Sequence, residues 1–215
     1  QKYGARVHRY IPNRFDEGYG LNIDSIALLA DSGAKVILTV DCGIRSPREA
    51  DFAREKSIDL IISDHHHPKD ELPNAYAVVC QKREGDPYPY KDLAGVGLAY
   101  KIAQALHIRR PMKDGCVEDW LDLVALGTVA DIVPLTDENR TLVRRGINQI
   151  RLGSRIGIQS LTGAAGKEVA RVTSTDIGFI LGPRLNAAGR MDSALKSYEL
   201  LVTDSIARAG LLAQE

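Results

Sequence analysis

Two apolar runs in the first third of the chain predict strands of a parallel sheet. Residues 35–40 and 58–63 are rich in Val, Ile and Leu, and continuous apolar runs of this length are typical of strands buried on both faces. Between them, Ser46, Pro47 and Glu49 combine an N-cap residue, a proline at the first helical position and a glutamate three residues after the cap. This combination predicts a capping box that opens a helix. Strand, helix and strand in this order predict a βαβ unit.

Helical periodicity dominates the rest of the chain. Asn22 predicts the N-cap of a helix over residues 23–31, and a short apolar run at 76–80 predicts a third strand. Further helices are predicted from the segment 93–97 to about residue 106 and at about 117–129, 138–150, 175–181 and 193–215, with a glycine-rich stretch after residue 151. The elements together predict an α/β fold, a parallel sheet flanked by helices.

Side chains that can bind a metal follow both of the first two strands. Asp41 comes directly after the first apolar run, and Asp64, His65 and His66 come directly after the second. Ligands bind at the carboxyl ends of parallel strands, and neighbouring strands lie about 5 Å apart. Carboxylates with one or two imidazoles suit Mg²⁺ or Mn²⁺, and histidine favours Mn²⁺. Each residue alone is typical of a turn or a surface loop, but together they predict a metal site.

Asp131 is a further candidate ligand. It lies among apolar residues in the segment 126–133, where a carboxylate has to be paired or bound to something. A cap at the end of the preceding helix is the alternative interpretation.

The charge is balanced over the whole chain but not locally. Lys+Arg and Asp+Glu number 28 each, whereas residues 140–190 contain nine basic and two acidic residues, and residues 111–139 contain seven acidic residues against Lys113. This asymmetry predicts a basic track for phosphates beside an acidic metal site, with a solvated helix face as the alternative.

The cysteines and the hydropathy indicate a cytoplasmic protein. Cys42, Cys80 and Cys116 are odd in number and have no CxxC spacing, which predicts reduced thiols and excludes a disulfide framework or a zinc knuckle. No apolar run approaches the ~20 residues that span a bilayer, and no signal peptide is present. We therefore expect no contact with a membrane.

Six segments, in order along the chain, resemble the RecJ-like single-stranded-DNA exonucleases of the DHH phosphoesterase family. The Asp-His-His triplet at 64–66 and the Val-Asp-Cys-Gly ending of the preceding strand are similar to two family motifs. The other four similar segments are residues 10–20, 93–97, 126–135 and 182–190. The resemblance covers nearly the whole chain.

The resemblance implies a two-metal hydrolysis of phosphodiesters that degrades single-stranded DNA from its 5′ end, in DNA repair and recombination. It implies two divalent ions, Mn²⁺ or Mg²⁺, that Asp41 bridges and that His65 and Asp131 also coordinate. Asp64 would orient a histidine from behind. His66 would lie beside the scissile phosphate and stabilise charge there, and the paired ions would activate a bridging water.

The same resemblance implies residues that bind substrate phosphate and protein partners. Arg190 matches the position of a phosphate-binding arginine, whose guanidinium can make a bidentate contact, and Arg184 and Asn186 are second choices. Single-stranded DNA is the expected partner, with a single-strand-binding protein and a helicase as further candidates.

The chain also departs from the family pattern. Proteins of this family begin with a strand that ends in an Asp-x-Asp pair, and no such pair precedes Asp41. We therefore expect a fragment that is inactive or nearly so by itself. Its expected organisation is a partial catalytic domain over residues 1–150, a helical and loop segment over 151–192 that closes this domain, and at 193–215 the start of a helix leading to a C-terminal domain.

Three other functions remain as alternatives. A manganese-dependent inorganic pyrophosphatase or a short-oligonucleotide phosphatase would share Asp41, Asp64, His65 and Asp131, but the basic span favours a long polyanionic substrate. A non-catalytic scaffold that binds replication proteins is the alternative from a different class, and the intact Asp-His-His triplet speaks against it.

Overall fold

A three-stranded parallel sheet organises the first part of the chain in the computed structural model, which describes residues 2–12, 18–191 and 194–215, without the side chains of 188–191. The strands are β1 (Val36–Val40), β2 (Asp59–Ser63) and β3 (Ala77–Val79), in the order β1-β2-β3. Val40 pairs with Ser63, so the last residues of β1 and β2 lie side by side. The predicted βαβ unit and the α/β class are confirmed.

Ten helices surround this sheet or follow it within the described ranges. They are α1 (Ile23–Asp31), α2 (Pro47–Glu55), α3 (Gly95–Arg109), α4 (Leu121–Ala130), α5 (Asp137–Arg151), α6 (Ile156–Ala164), α7 (Ser174–Asp176), α8 (Gly182–Met191), α9 (Ala194–Val202) and α10 (Ile206–Gln214). Short 3-10 helices lie at Val117–Trp120 and Val169–Arg171, and a π-helical segment, Ile177–Leu181, joins α7 to α8. None of the described helices is long and apolar enough to cross a membrane.

Of the two predicted helix caps, the one at Asn22 forms and the one at Ser46 does not. Asn22 caps α1 through a 2.7 Å hydrogen bond that its side chain accepts from the Ser25 backbone N–H. Pro47 begins α2 as predicted, but the predicted capping box does not form. The backbone of Ser46 has ψ 59° instead of the extended value that is usual for an N-cap, so its hydroxyl makes no capping bond.

The sheet is covered more completely over β2 than over β1. Alternate residues of β2, Leu60 and Ile62, are buried, whereas Val36, Leu38 and Val40 of β1 are about half exposed. The prediction that both strands are buried on both faces is therefore wrong for β1, which lies at one edge of the described sheet, whereas β2 lies at its centre. No described strand precedes β1, and the resemblance to the family implies one there.

The second half of the chain contains a helix that the sequence did not predict. Glycines over residues 153–166 suggested a loop, but α6 lies there. A Cβ at Gly157 would lie 2.7 Å from the carbonyl carbon of Leu200, so this glycine allows close packing of α6 against α9. The single helical pattern predicted over 193–215 is divided at residues 203–205 into α9 and α10, and residue 193 lies outside the described residues.

The core consists of three apolar clusters. One packs α1 and α2 against the sheet, around Ile26, Leu60 and Ile62. A second joins α3 to α4, and the third joins α4 to the helices from α5 to α10. Because α4 contributes to both helical clusters, its C-terminal end is held firmly beside the sheet.

Candidate metal centre

Asp41 is fixed at the end of β1 by its backbone. Its N–H donates to the Ser63 carbonyl at 2.9 Å, and its own carbonyl accepts from the Tyr19 hydroxyl at 2.8 Å. Its φ of 65° is a left-handed conformation that turns the chain sharply away from the strand. Gly95, the first residue of α3, packs against its side chain so closely that a Cβ there would lie 2.7 Å from the Asp41 Cβ and Cγ.

Three predicted ligands converge at one point although they lie far apart in the sequence. The Nε2 atom of His65 lies 3.0 Å from Asp41 Oδ1 and 3.3 Å from Asp131 Oδ2. Asp131 reaches this point because it is the C-cap of α4. The structure therefore brings Asp41, His65 and Asp131 together at the carboxyl ends of β1 and β2.

The polar atoms at this point are buried without hydrogen-bond partners. Asp41 Oδ1 and both ring nitrogens of His65 make no hydrogen bond with a described residue, because the short approach of Asp41 to His65 is not aligned for one. Buried polar atoms without partners are costly in a protein interior. A cation held between these atoms would remove that cost.

Asp64 holds His66 instead of joining the cluster. Asp64 is only 2% exposed, and its carboxylate accepts from the Ile44 backbone N–H at 2.9 Å. It also lies 2.7 Å from His66 Nδ1. His66 is half-buried, with its side chain 39% exposed, so its other ring nitrogen is available to a ligand. His67, the next residue, is exposed, and its carbonyl accepts from Arg45 Nε at 2.8 Å.

The site shifts the proton affinity of its members. The Asp41 carboxylate raises the pKa of His65 although burial opposes this, and Asp131 adds to the rise. Burial raises the pKa of Asp131 more than His65 lowers it. Burial also opposes ionisation of Asp64, but hydrogen bonds from Ile44 and His66 outweigh it and lower the pKa of Asp64. The raised pKa of His65 shows that the carboxylates at this point favour a positive charge beside them, and the lowered pKa of Asp64 keeps that carboxylate ionised at neutral pH.

The donor set fits a divalent cation. Single ligand atoms of Asp41, His65 and His66 all lie within 4.8 Å of one another, and Asp131 Oδ2 lies 3.3 Å from His65 Nε2. Carboxylate oxygens with imidazole nitrogens suit Mn²⁺ better than Ca²⁺.

All three cysteines are free, and burial, with Asp64 and Asp41 nearby, raises the pKa of Cys42 to about 11. That thiol is therefore protonated at neutral pH.

The predicted phosphate-binding residues lie on α8. Arg184 and Asn186 are exposed, and Arg184 Nη1 donates to the Ile180 carbonyl at 3.1 Å. No hydrogen bond or ion pair joins either residue to the metal cluster within the described part of the chain. Arg190 belongs to the same helix, but its side chain lies outside the described residues, as do residues 13–17 of the first similar segment.

The basic span between residues 140 and 190 carries less free charge than its composition suggests. Arg155 donates to the fully buried Asp122 at 2.6 Å. Lys167 pairs with Asp176 and Arg171 with Glu168. The remaining free charge lies mainly on α5.

Sequence patterns did not identify the residues that support the ligands. Gly95 was noted only as part of a similar segment. Asn139 is buried and donates to the carbonyls of Asp92 and Pro134 at 2.6 and 3.0 Å. Tyr90 donates to the Pro134 carbonyl at 3.2 Å. These bonds hold the loop at residues 131–136, which we call the Asp131 loop. In the sequence, Asn139 is an asparagine near the start of an amphipathic helix, and nothing there indicates that it supports this loop.

This combination of a parallel sheet and a carboxylate–imidazole cluster at the ends of its strands defines an α/β protein with a candidate metal site. Residues 1–128 match the family model described as "DHH family, N-terminal domain", and the chain belongs to this family.

Named relatives and solved structures agree with this family. The chain is 42% identical over 215 residues to the single-stranded-DNA-specific exonuclease RecJ of Bacillus subtilis, matching all of this chain and 27% of the relative. It is 41% identical to RecJ of Escherichia coli, over 98% of this chain and 38% of that relative. A crystal structure of exonuclease RecJ bound to manganese superposes with a TM-score of 0.87 at 34% identity, over 98% of this chain and 52% of that one. The crystal structure of RecJ from Thermus thermophilus in complex with Mn²⁺ superposes with a TM-score of 0.77 at 31% identity, over 89% of this chain and 28% of that one. The chain thus spans about a quarter to two fifths of these full-length relatives.

Proposed function

We propose that this chain is the metal-binding part of a single-stranded-DNA-specific exonuclease that hydrolyses phosphodiester bonds from the 5′ end. The observation that carries the proposal is the convergence of Asp41, His65 and Asp131, in which Asp41 Oδ1 and both ring nitrogens of His65 are buried without a hydrogen bond. The similarity to RecJ proteins supports single-stranded DNA as the substrate and DNA repair and recombination as the setting.

Asp41, His65 and Asp131 are the proposed ligands of the divalent ions, Mn²⁺ or Mg²⁺. Such ions, when bound, lower the pKa of a coordinated water and neutralise charge on the phosphate. The resemblance to the family implies that Asp41 would coordinate both ions, and its carboxylate lies 3.0 Å from His65 Nε2 and packs against Gly95 of α3. The burial of His65 restricts its ring to one orientation and excludes water from one side of the site.

Asp64 and His66 are proposed to act on the substrate as a pair. The ionised Asp64 lies 2.7 Å from His66 Nδ1, and a proton on Nδ1 donates to it, which fixes the ring orientation and leaves Nε2 for the substrate. When both ring nitrogens carry a proton, His66 Nε2 can donate a hydrogen bond to the scissile phosphate or protonate the leaving oxygen. Arg190, with Arg184 and Asn186 as second choices, is the proposed contact of a substrate phosphate.

Three further statements belong to this proposal. The division at residues 150 and 192 into a partial catalytic domain, a closing segment and the start of a C-terminal region stays a prediction. A single-strand-binding protein and a helicase are proposed partners, and the cytoplasm is the proposed location. Additional ligands from outside this chain are proposed to complete the two-metal site, so this chain by itself is expected to be nearly inactive.

The test compares metal binding and hydrolysis in the intact protein. Calorimetric titration with MnCl₂ and hydrolysis of end-labelled single-stranded DNA are measured for the wild type, Asp41→Asn, Asp64→Asn and Asp51→Asn. Asp51 is an exposed acid of α2 and serves as the control. Loss of a group behind a ligand costs about 10- to 100-fold, so Asp64→Asn should lose that much activity, Asp41→Asn more, and Asp51→Asn none.

Pyrophosphate and a dinucleotide are tested in parallel with long single-stranded DNA. The proposal requires the highest kcat/KM on the long strand. Faster turnover of pyrophosphate would establish the pyrophosphatase alternative, and an Asp41→Asn protein as active as Asp51→Asn would refute the assignment of the site.

A further inference from the structure

A groove runs along one face of α5, away from the metal cluster. Its volume is about 350 Å³, and α5 faces the beginning of α7 across it. The lining combines apolar and basic side chains, which are Leu135, Val143, Ile147, Arg140, Arg144 and Arg151, with Asn148, Thr173 and Ser174 at its margin.

The basic residues of the groove share one face of the helix. Arg140, Arg144 and Arg151 are separated by four and seven positions, which are the spacings of a single helical face. Arg145 is exposed on the same helix but does not line the groove. Helix α5 therefore carries three arginines that line the groove and one exposed arginine, Arg145, that does not.

The guanidinium groups in the groove are available to an anion. Arg140 and Arg144 make no hydrogen bond or ion pair with a described residue. Arg151 donates through Nε to the Val172 carbonyl at 2.8 Å, which fixes the group and leaves its terminal nitrogens for another acceptor.

No acidic side chain lines the groove, although Asp137 lies three positions before Arg140 on α5, and the acids Glu138 and Asp176 are paired with other residues. Glu138 accepts from the Tyr88 hydroxyl at 2.7 Å and pairs with Lys101. Asp176 pairs with Lys167 at 3.1 Å. The groove thus contains three of the four arginines of α5 and no acid, and it is complementary to a polyanion.

The groove begins close to the metal cluster along the chain. Leu135, at one end of the lining, belongs to the Asp131 loop, which Asn139 and Tyr90 hold in place. One loop, held by hydrogen bonds, therefore joins the Asp131 end of the metal cluster to the groove.

We propose that the α5 groove binds the phosphate backbone of the single-stranded DNA substrate beyond the metal centre, with arginines on the phosphates and the apolar floor against the sugars. The proposal rests on the proposed function. The lining contains no aromatic side chain for base stacking, so binding here is expected to be independent of sequence and sensitive to salt.

The test uses two neighbouring arginines of equal charge in the intact protein. Binding of a fluorescein-labelled oligothymidylate is followed by anisotropy at several KCl concentrations, with EDTA present to prevent hydrolysis. For single strands, each phosphate contact contributes about 0.7 to the slope of log K against log salt. Arg144→Gln should lower the slope by about 0.7, Arg140→Gln/Arg144→Gln by about 1.4, and the control Arg145→Gln should leave it unchanged.

Hydrolysis separates the failure of this proposal from the failure of the proposed function. With Mn²⁺ present, the kcat/KM ratio of long strand to dinucleotide should fall for Arg140→Gln/Arg144→Gln relative to Arg145→Gln. Equal slopes for Arg144→Gln and Arg145→Gln would overturn the groove as a DNA site. A second result would also overturn it. If Arg140→Gln/Arg144→Gln lowers the unfolding temperature but leaves the slope of log K against log salt unchanged, the two arginines contact protein and not DNA. If the wild type and Arg145→Gln bind DNA but do not hydrolyse it with Mn²⁺, the proposed function fails instead.

Discussion

Replacing Gly95 by alanine should disturb the metal centre without unfolding the protein. The new Cβ would lie 2.7 Å from the Asp41 Cβ and Cγ, whereas ordinary contacts begin at 3.4 Å. One of the two groups therefore has to move by about 0.7 Å. Gly95 is anchored at the start of α3, and the Asp41 Cβ cannot move by side-chain rotation, so we expect the backbone at Asp41 to shift and to take its carboxylate away from His65.

The expected loss is large in function and small in stability. A misplacement of about 1 Å in a catalytic site costs about 100-fold in rate, so Gly95→Ala should lose 10- to 100-fold in kcat and bind Mn²⁺ more weakly. Overpacking costs about 1–3 kcal/mol, but alanine gains up to about 1 kcal/mol over glycine in a helix. The net change in the free energy of unfolding should be about 2 kcal/mol or less.

Gly97→Ala is the matched control for this prediction. It lies on the same helix, and its Cβ would meet only the flexible end of Leu93 at 3.3 Å. Calorimetric titration with Mn²⁺, hydrolysis of single-stranded DNA and urea unfolding are measured for both variants of the intact protein. If Gly95→Ala binds Mn²⁺ as tightly as Gly97→Ala, contact between α3 and Asp41 does not position the ligand, and the reasoning is wrong.

Two further predictions concern stability. Arg155→Ala leaves the Asp122 carboxylate buried without its partner, and breaking such a pair costs about 3–5 kcal/mol. Because Arg155 is 21% exposed, we expect the free energy of unfolding in urea to fall by about 3 kcal/mol. Adding Asp122→Asn to the same variant should recover part of this loss. Asp176→Asn removes a carboxylate whose pKa Thr173 and Lys167 lower to about 2. A lowered pKa stabilises the fold above the unfolded value of 3.8 and loses this effect as pH falls, so the stability difference from wild type should shrink between pH 4 and pH 2; a difference independent of pH would contradict the assignment.

The sequence predicted those parts of the fold and site that depend on local patterns. Apolar runs that end in Asp41 and in the triplet at 64–66 identified two strands and their tips, because a buried parallel strand and the ligand after it are adjacent in the chain. The position of Asp131 beside His65 depends on how α4 packs against the sheet, and no local pattern encodes that distance. For this reason a helix cap remained an equal interpretation of Asp131.

The errors have the same origin. Gly157 suggested a loop because glycine weakens an isolated helix, yet the close approach of α9 requires it inside α6. Arg155 was counted in a basic track because its partner, Asp122, lies 33 positions earlier and is buried. Tertiary packing decided both cases, and packing between distant segments is the information that periodicity and composition lack.

The convergence of Asp41, His65 and Asp131 also has a thermodynamic consequence. These proposed ligands follow β1, β2 and α4, so an ion bound to all three would link the sheet to the helical half of the chain. An ion that binds only the folded state at 100 times its Kd adds about 2.7 kcal/mol to stability. Manganese supply would then govern how much of the protein is folded and resistant to proteolysis, in addition to how fast it works.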